Sequence, residues 1–193
     1  MLQDKFKNQE IILATASPRR QELFRALDIP FKIKIKSIEE NYSNNLKAEE
    51  ITNYLAKEKA IAFENEITEN QIIITADTIV WFDNGALEKP INKEHAKLML
   101  QQLSGKSHQV FTSICIKTKK IENVFFDETL VFFKEFSATE IEYYVDKFNT
   151  LDKAGGYGIQ EWIGYIGVTR IEGSYYNVMG LPVHKLYEEL LKL

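Results

Sequence analysis

Segments with the periodicity of β-strands alternate with segments of helical periodicity along the chain, and this alternation constrains the fold more than any other feature. In the helical segments apolar residues recur every three or four positions, whereas in the strand segments they alternate with polar residues or form short runs. The predicted strands are 11–14, 31–35, 71–82, 86–87, 110–117, 124–136 and 165–171. The first predicted helix begins after Ser17, and four further helices are predicted over 47–63, 93–103, 138–148 and 183–191. Such alternation is typical of an α/β protein.

Length and composition limit the classes of protein to which this chain can belong. A chain of 193 residues can bury one core, or one core with a smaller lobe, and we therefore expect a single domain over 1–193. The net charge of −4 gives no basic footprint for a nucleic acid, and the longest apolar runs are far too short to span a membrane. Because the N-terminus is polar and Cys115 is the only cysteine, we expect a cytoplasmic protein.

The stretch Ser17-Pro18-Arg19-Arg20 follows a predicted strand and begins a predicted helix. Ser17 suits the N-cap, and Pro18 suits the first helical position, where its missing N–H has no partner to lose. Unpaired N–H groups and the positive end of the dipole make a helix N-terminus a site for anions. Two arginines are unfavourable beside that dipole unless an anion such as a polyphosphate is bound there. The alternative is that Arg19 and Arg20 face solvent or pair with distant acids.

Asp77 lies within a predicted strand that is otherwise apolar. A buried carboxylate requires hydrogen bonds, a cation or a metal ion to offset its desolvation, and Asp77 is therefore a candidate general base or Mg²⁺ ligand. The alternative is an aspartate at a turn or strand end that Thr78 satisfies locally. Lys59 lies at the edge of the apolar stripe of its helix, where it reaches either Asp77, a phosphate or the surrounding water.

Further candidates are Lys89, just before Pro90, and the segment 152–160, which has three glycines within four residues. Glycine permits positive φ and a close approach of ligand to backbone. The segment does not match the G-x-G-x-x-G dinucleotide motif, and Gly105-Lys106-Ser107 does not complete a phosphate-binding P-loop. The three histidines lack the spacing of metal ligands.

Six segments together resemble the Maf family of nucleoside triphosphate pyrophosphatases. They occur in the order of the family and span nearly the whole chain, which makes the set specific although each segment is short. The segments are ATASPRR at 14–20, ADTIV at 76–80, EKP at 88–90, LSG at 103–105, the glycine-rich segment 152–160, and 171–182. The resemblance implies an elongated mixed-sheet α/β fold, related to the inosine triphosphatase type, in which two lobes flank a central cleft. It also implies a divalent metal cation, Mg²⁺ or Mn²⁺, and often a homodimer.

The resemblance assigns roles to individual residues as well. Asp77 takes the place of the family's proposed catalytic base, and Asp77 with Glu40 would hold the metal. The residues that match positions implicated in handling substrate or metal are Ser17, Arg19, Arg20, Glu40, Lys59 and Lys89. The residues that match positions associated with the choice of base are Arg19, Thr78 and Gln160.

The segment Tyr157-Gly158-Ile159-Gln160 resembles the branch of the family that hydrolyses dTTP and UTP to the monophosphate and pyrophosphate. This reaction, on ordinary or modified pyrimidine triphosphates in a housecleaning role, is the predicted function. The alternative is a nucleotide-binding regulator of cell division or septum formation in which hydrolysis is incidental. Glu161-Trp162 stands where that branch commonly has glycine, and this pair is bulky enough to reshape the base pocket.

Overall fold

The computed structural model describes residues 1–193 and contains one seven-stranded sheet. In chain order the strands are β1 (Glu10–Leu13), β2 (Lys32–Ile33), β3 (Gln71–Phe82), β4 (Gly85–Leu87), β5 (Ser107–Lys117), β6 (Glu122–Phe133) and β7 (Val168–Glu172). The helices are α1 (Leu2–Lys5), α2 (Pro18–Arg25), α3 (Glu49–Ile61), α4 (Lys93–Leu103), α5 (Ala138–Lys147), α6 (Trp162–Gly167), α7 (Tyr175–Val178) and α8 (Val183–Lys192), with a 3-10 turn at Ala154–Gly156. The mixed sheet and its helices confirm the predicted α/β class. None of the helices has both the length and the apolar character needed to cross a membrane.

The long strand β3 lies at the point where the sheet changes from parallel to antiparallel pairing. The strand order is β2-β1-β3-β5-β6-β7, and β4 pairs with the end of β3. β1 runs parallel to β2 and β3, whereas β5, β6 and β7 follow β3 in antiparallel order. Leu13 at the end of β1 is opposite Ile74. The chain therefore leaves β1 beside the middle of β3, and the segment 14–20 emerges close to Asp77.

Two hydrophobic clusters of similar size form two lobes. The first has 15 buried residues and joins the start of β3, through Ile74, to α2 and α8. The second has 14 buried residues and joins the end of β3, through Val80, to α4 and α5. β3 therefore passes from one lobe to the other, and Asp77 lies at the boundary between them. This arrangement agrees with the expected pair of lobes around a cleft.

Two of the predicted strands differ from the structure by more than their exact ends. The segment predicted as strand 165–171 begins as α6, and only Val168–Glu172 is a strand. At Gly164 a Cβ would lie 2.0 Å from the carbonyl oxygen of Ile159, and this close return of the backbone is not visible in the apolar pattern. The predicted strand 31–35 is reduced to β2, because β1 ends at Leu13 and pairs only with Lys32 and Ile33.

Candidate functional site

A cleft of about 470 Å³ lies between the two lobes. It is lined by the segment after β1, the loop that precedes α3, the middle of β3, the glycine-rich segment and residues 178–180. Six cationic side chains line it, against three carboxylates. All nine residues singled out in the sequence lie on its walls: Ser17, Arg19, Arg20, Glu40, Lys59, Asp77, Thr78, Lys89 and Gln160. The cleft therefore combines a strong positive charge with a small number of acids, as a polyanion site requires.

The N-terminus of α2 forms one end of the cleft. The Oγ atom of Ser17 accepts a hydrogen bond from the backbone N–H of Arg20 at 3.4 Å, and Pro18 is the first helical residue. The predicted N-cap is thus confirmed. Because Pro18 has no N–H and the N–H of Arg20 is capped, the free positive end of α2 is presented mainly by the N–H of Arg19 and by the dipole.

Arg20 is bound to the protein more extensively than the sequence indicates. Its Nε donates to the carbonyl oxygen of Gly180 and one terminal nitrogen donates to that of Ala76, each at 2.8 Å, while the other donates to Oγ1 of Thr78 at 2.9 Å. A guanidinium has five N–H groups, and two therefore remain for a ligand. Arg20 consequently ties α2 to β3 and to the segment before α8, besides facing the cleft.

Thr78 belongs to an ordered row of hydroxyl groups. The Thr112 hydroxyl donates to the carbonyl oxygen of Asn177 at 2.9 Å, and the Thr78 hydroxyl, 3.0 Å from Thr112 Oγ1, must therefore donate to Thr112. Thr78 in turn accepts from Arg20. Since its only hydroxyl proton is already used, Thr78 presents an acceptor to the cleft, and no donor.

The carboxylates of Asp77 and Glu40 meet at the ammonium of Lys59. Lys59 Nζ lies 2.5 Å from Asp77 Oδ1 and 2.7 Å from Glu40 Oε1, and Lys89 Nζ is 3.9 Å from the other oxygen of Glu40. Of the alternatives left open for Lys59, the structure shows the contact with Asp77, and it adds one with Glu40. Asp77 is only 7% exposed, and its Oδ2 has no hydrogen-bond partner in the protein.

The pKa values of these two carboxyl groups are shifted in opposite directions. Burial raises the pKa of Asp77 above its ordinary value, and the charges of Lys59 and Arg20 offset this effect only in part. Burial acts in the same sense on Glu40, but there the hydrogen bond and charge of Lys59, with Lys89 and Arg20, outweigh it and lower the pKa. A carboxyl with a raised pKa in a cationic cleft is typical of a functional group.

The opposite wall of the cleft is formed by the glycine-rich segment. Gly155 and Gly156 have φ of 68° and 72°, as the glycine content of this segment suggests. The side-chain amide of Gln160 lines the cleft and makes no hydrogen bond within the protein, which leaves it free for a ligand. Arg19 reaches Asp152 at 3.3 Å. Glu161 and Trp162 are not among the residues that line the cleft, and an effect of this pair on the base pocket stays a prediction.

Lys153 is a residue of this wall that sequence reasoning missed. It is 5% exposed and lines the cleft, and its ammonium lies 2.7 Å from Asp152 Oδ1 and 3.0 Å from Glu161 Oε1. A signal was present, because Lys153 lies within the glycine-rich segment 152–160, two positions before Gly155. Its ammonium is compensated by Glu161 and Asp152 and donates to the carbonyl oxygen of Asn149, and these contacts are not apparent from the sequence.

Comparison with known proteins supplies information that is independent of this geometry. The family model described as Maf-like protein matches residues 10–193. The dTTP/UTP pyrophosphatase of Flavobacterium johnsoniae is 52% identical over 193 residues, covering 100% of both chains. The dTTP/UTP pyrophosphatase of Christiangramia forsetii is 51% identical over 100% of this chain and 98% of its own. Among solved structures, the Staphylococcus aureus Ham1 protein aligns with a TM-score of 0.51 at 15% identity, over 94% of this chain and 98% of its own. The last similarity concerns the fold alone.

Proposed function

We propose that this chain, which belongs to the Maf family, hydrolyses dTTP and UTP to the nucleoside monophosphate and pyrophosphate. The relatives that share about half of its residues over their full length are named for this activity. The single observation that carries the proposal is the buried carboxylate of Asp77, placed among the cations of a cleft large enough for a nucleotide. Cations alone suffice to bind a polyanion, whereas a carboxylate beside them opposes binding unless it serves as a base or holds a metal ion.

We assign the triphosphate to the part of the cleft that lies between α2 and Lys89. Lys59, Lys89 and the two free N–H groups of Arg20 would neutralise its charge and the charge that develops on the leaving pyrophosphate. Release of pyrophosphate requires that water attacks the α-phosphorus and that the bond to the bridging oxygen of the β-phosphate breaks. The free Oδ2 of Asp77 is the group assigned to orient this water and accept its proton.

A divalent metal ion fits the donors that this cleft provides. Asp77 and Glu40 both contact the one ammonium of Lys59, and their oxygens therefore converge on a position that already suits a cation. No group of three or more acidic, histidine or cysteine side chains is present to form a complete cage. Mg²⁺ is commonly bound by one or two carboxylates with water and substrate phosphates. Asp77 and Glu40 would hold the metal, which would add positive charge at the reacting phosphate. Because Oδ1 of Asp77 is paired with Lys59, the metal would use Oδ2, so that metal ligand and general base are alternative roles for this oxygen.

Gln160 is the residue that we assign to recognition of the base. A uracil or thymine ring has an O4 acceptor beside an N3–H donor, and one glutamine amide satisfies both. The amide of Gln160 lines the cleft and has no partner in the protein. Thr78, on the other wall, contributes to recognition of the base only as a hydrogen-bond acceptor, because its hydroxyl proton is donated to Thr112.

The proposed reaction is tested by identifying its products. The protein is incubated with Mg²⁺ and dTTP, UTP, CTP or GTP, and the products are separated by anion-exchange chromatography. We expect monophosphate and pyrophosphate, with dTTP and UTP turned over fastest. Diphosphate with orthophosphate would contradict the assigned bond, and equal turnover of all four nucleotides would contradict the pyrimidine preference.

The assignment of Gln160 is tested by Gln160→Glu. An ionised glutamate has only acceptors, and O4 then loses its donor, which costs on the order of 1–3 kcal/mol, or about tenfold to a hundredfold in kcat/KM. We expect this loss for dTTP and UTP and a smaller one for GTP. A uniform loss for every nucleotide would mean that Gln160 only supports the glycine-rich segment.

A further inference from the structure

The base-reading turn, which we define as Gly158–Glu161, carries Gln160 into the cleft. The N–H of Glu161 donates to the carbonyl oxygen of Gly158 at 3.0 Å, which closes a β-turn with Gln160 as its third residue. Ile159, the second residue of this turn, is buried in the second hydrophobic cluster, whereas Gln160 is free to face the cleft. The contacts that fix the two ends, together with the buried side chain of Ile159, therefore determine where the amide of Gln160 points.

Both ends of the base-reading turn are tied to the side chain of Glu161. The N–H of Gly158 donates to the hydroxyl oxygen of Tyr144 at 3.0 Å, and this hydroxyl donates to Glu161 Oε2. Burial, together with the carboxylate of Glu161, raises the pKa of Tyr144, so that the hydroxyl keeps its proton. A Cβ on Gly158 would lie 2.8 Å from the carboxyl carbon of Glu161, which shows how closely this carboxylate packs on the turn.

The negative charge of Glu161 is compensated by the ammonium of Lys153. Its Oε1 lies 3.0 Å from the ammonium of Lys153, which also contacts Asp152 Oδ1 at 2.7 Å. Asp152 in turn contacts Arg19 at 3.3 Å. These four side chains form a row of alternating charge from α2 to the base-reading turn. Loss of one member of a buried pair leaves its partner uncompensated and is more costly than the pair itself is worth.

We propose that Glu161, with Lys153 as its counter-ion, is a positioning residue that aims the amide of Gln160 at the pyrimidine. This inference rests on the proposed reading of the base by Gln160. Glu161 does not line the cleft itself, and it reaches the base through the base-reading turn. It therefore contributes to the choice of nucleotide and not to hydrolysis of the triphosphate.

The test compares Glu161→Gln with Glu140→Gln. Glutamine keeps the shape at position 161, but Lys153 and Tyr144 contact different oxygens of Glu161. In glutamine one of these oxygens is replaced by an NH2 group, which cannot accept a hydrogen bond. We expect kcat/KM for dTTP and UTP to fall about tenfold relative to that for GTP, with the loss mainly in KM. Glu140 is similarly accessible, at 28% against 21% for Glu161, and is paired with Lys134 at 2.7 Å away from the cleft. Its variant is expected to keep the nucleotide preference of the parent.

A double-mutant cycle separates this inference from the function on which it rests. If Glu161 acts through Gln160, then Glu161→Gln will change selectivity little further in a Gln160→Ala background. A selective effect of Gln160→Ala, combined with an equal loss for all nucleotides in Glu161→Gln, overturns the role of Glu161 alone. An unselective effect of Gln160→Ala overturns the assignment of Gln160 as well. Should Glu161→Gln fail to fold in a thermal melt, Tyr144→Phe removes the same tie to the turn and replaces it in the cycle.

Discussion

Asp77 combines a contact within the protein with an oxygen that has no partner there. One of its oxygens is bound to Lys59, while the other is free toward the cleft. The substitution Asp77→Asn keeps the shape but removes the proposed base, and loss of a general base typically costs about 10²–10⁴-fold in rate. We expect kcat for dTTP to fall by that factor, while dTTP binding measured by calorimetry changes little. A variant with near-normal kcat would show that the carboxylate is structural.

Arg20 is expected to be important for stability as well as for binding. The substitution Arg20→Ala leaves the carbonyl oxygens of Ala76 and Gly180 without their donor, and each buried unsatisfied group costs about 1–3 kcal/mol. We expect a clear decrease in the free energy of unfolding, measured with urea, and a rise in KM for dTTP. Arg25→Ala, on the same helix but exposed, is the control. Unchanged stability in Arg20→Ala would show that these hydrogen bonds contribute little.

The residues of the site were predictable to different degrees. Asp77 and Lys59 were found because each interrupts an apolar pattern, and their contact follows from the neighbouring positions of α3 and β3. The partners of Arg20 were not predictable, since Gly180 is 160 positions away and acts through its carbonyl oxygen. The proton order that makes Thr78 an acceptor depends on Thr112, on another strand, and is likewise a property of the fold.

Helices and strands were predicted best where local signals determine their ends. α4 covers 93–103 as predicted, because Asn92 caps its start and its apolar positions follow the helical period. α6 was missed because its first turn depends on the contact between Gly164 and Ile159. β2 was predicted too long because its length depends on the end of β1. Boundaries set by tertiary contacts are therefore the part of the fold that the sequence pattern does not contain.

The N-terminus of α5 offers a test of one such local signal. Ser137 accepts from the N–H of Glu140, whose carboxylate accepts from the N–H of Ser137, in a complete capping box. We expect Ser137→Ala to lower the free energy of unfolding by about 1 kcal/mol, measured by urea denaturation. Ser107→Ala, at the exposed start of β5, is the matched control and should have no measurable effect. Equal stabilities for the two variants would contradict the role of the cap.

The stability of the whole molecule is expected to depend on His108. This side chain is 2% exposed, and burial lowers its pKa to about 3, so that it is neutral in the folded protein. In the unfolded chain its pKa is about 6.5. Because the unfolded state binds the proton first, stability decreases as the pH falls from 6.5 toward 3, by about 2 kcal/mol between pH 7 and pH 5.

The variant His108→Gln isolates this effect, since glutamine is close in size and retains a polar group toward Tyr157, whose hydroxyl is 2.7 Å from the imidazole. We expect the free energy of unfolding of the variant to change less between pH 7 and pH 5 than that of the parent. Parallel curves for the two proteins would show that His108 is protonated in the folded state as well.

The residue proposed for hydrolysis and the residue proposed for base recognition are held by the fold in different ways. Asp77 belongs to a twelve-residue strand and is paired opposite Ser113 in a long antiparallel ladder, whereas Gln160 lies on a turn held by side chains. Segments with few backbone hydrogen bonds open locally at a lower free energy than central strands. Warming should therefore reduce the difference in kcat/KM between pyrimidine nucleotides and GTP while hydrolysis continues. A cell growing near its upper temperature limit would then have an enzyme that is still fast but less faithful.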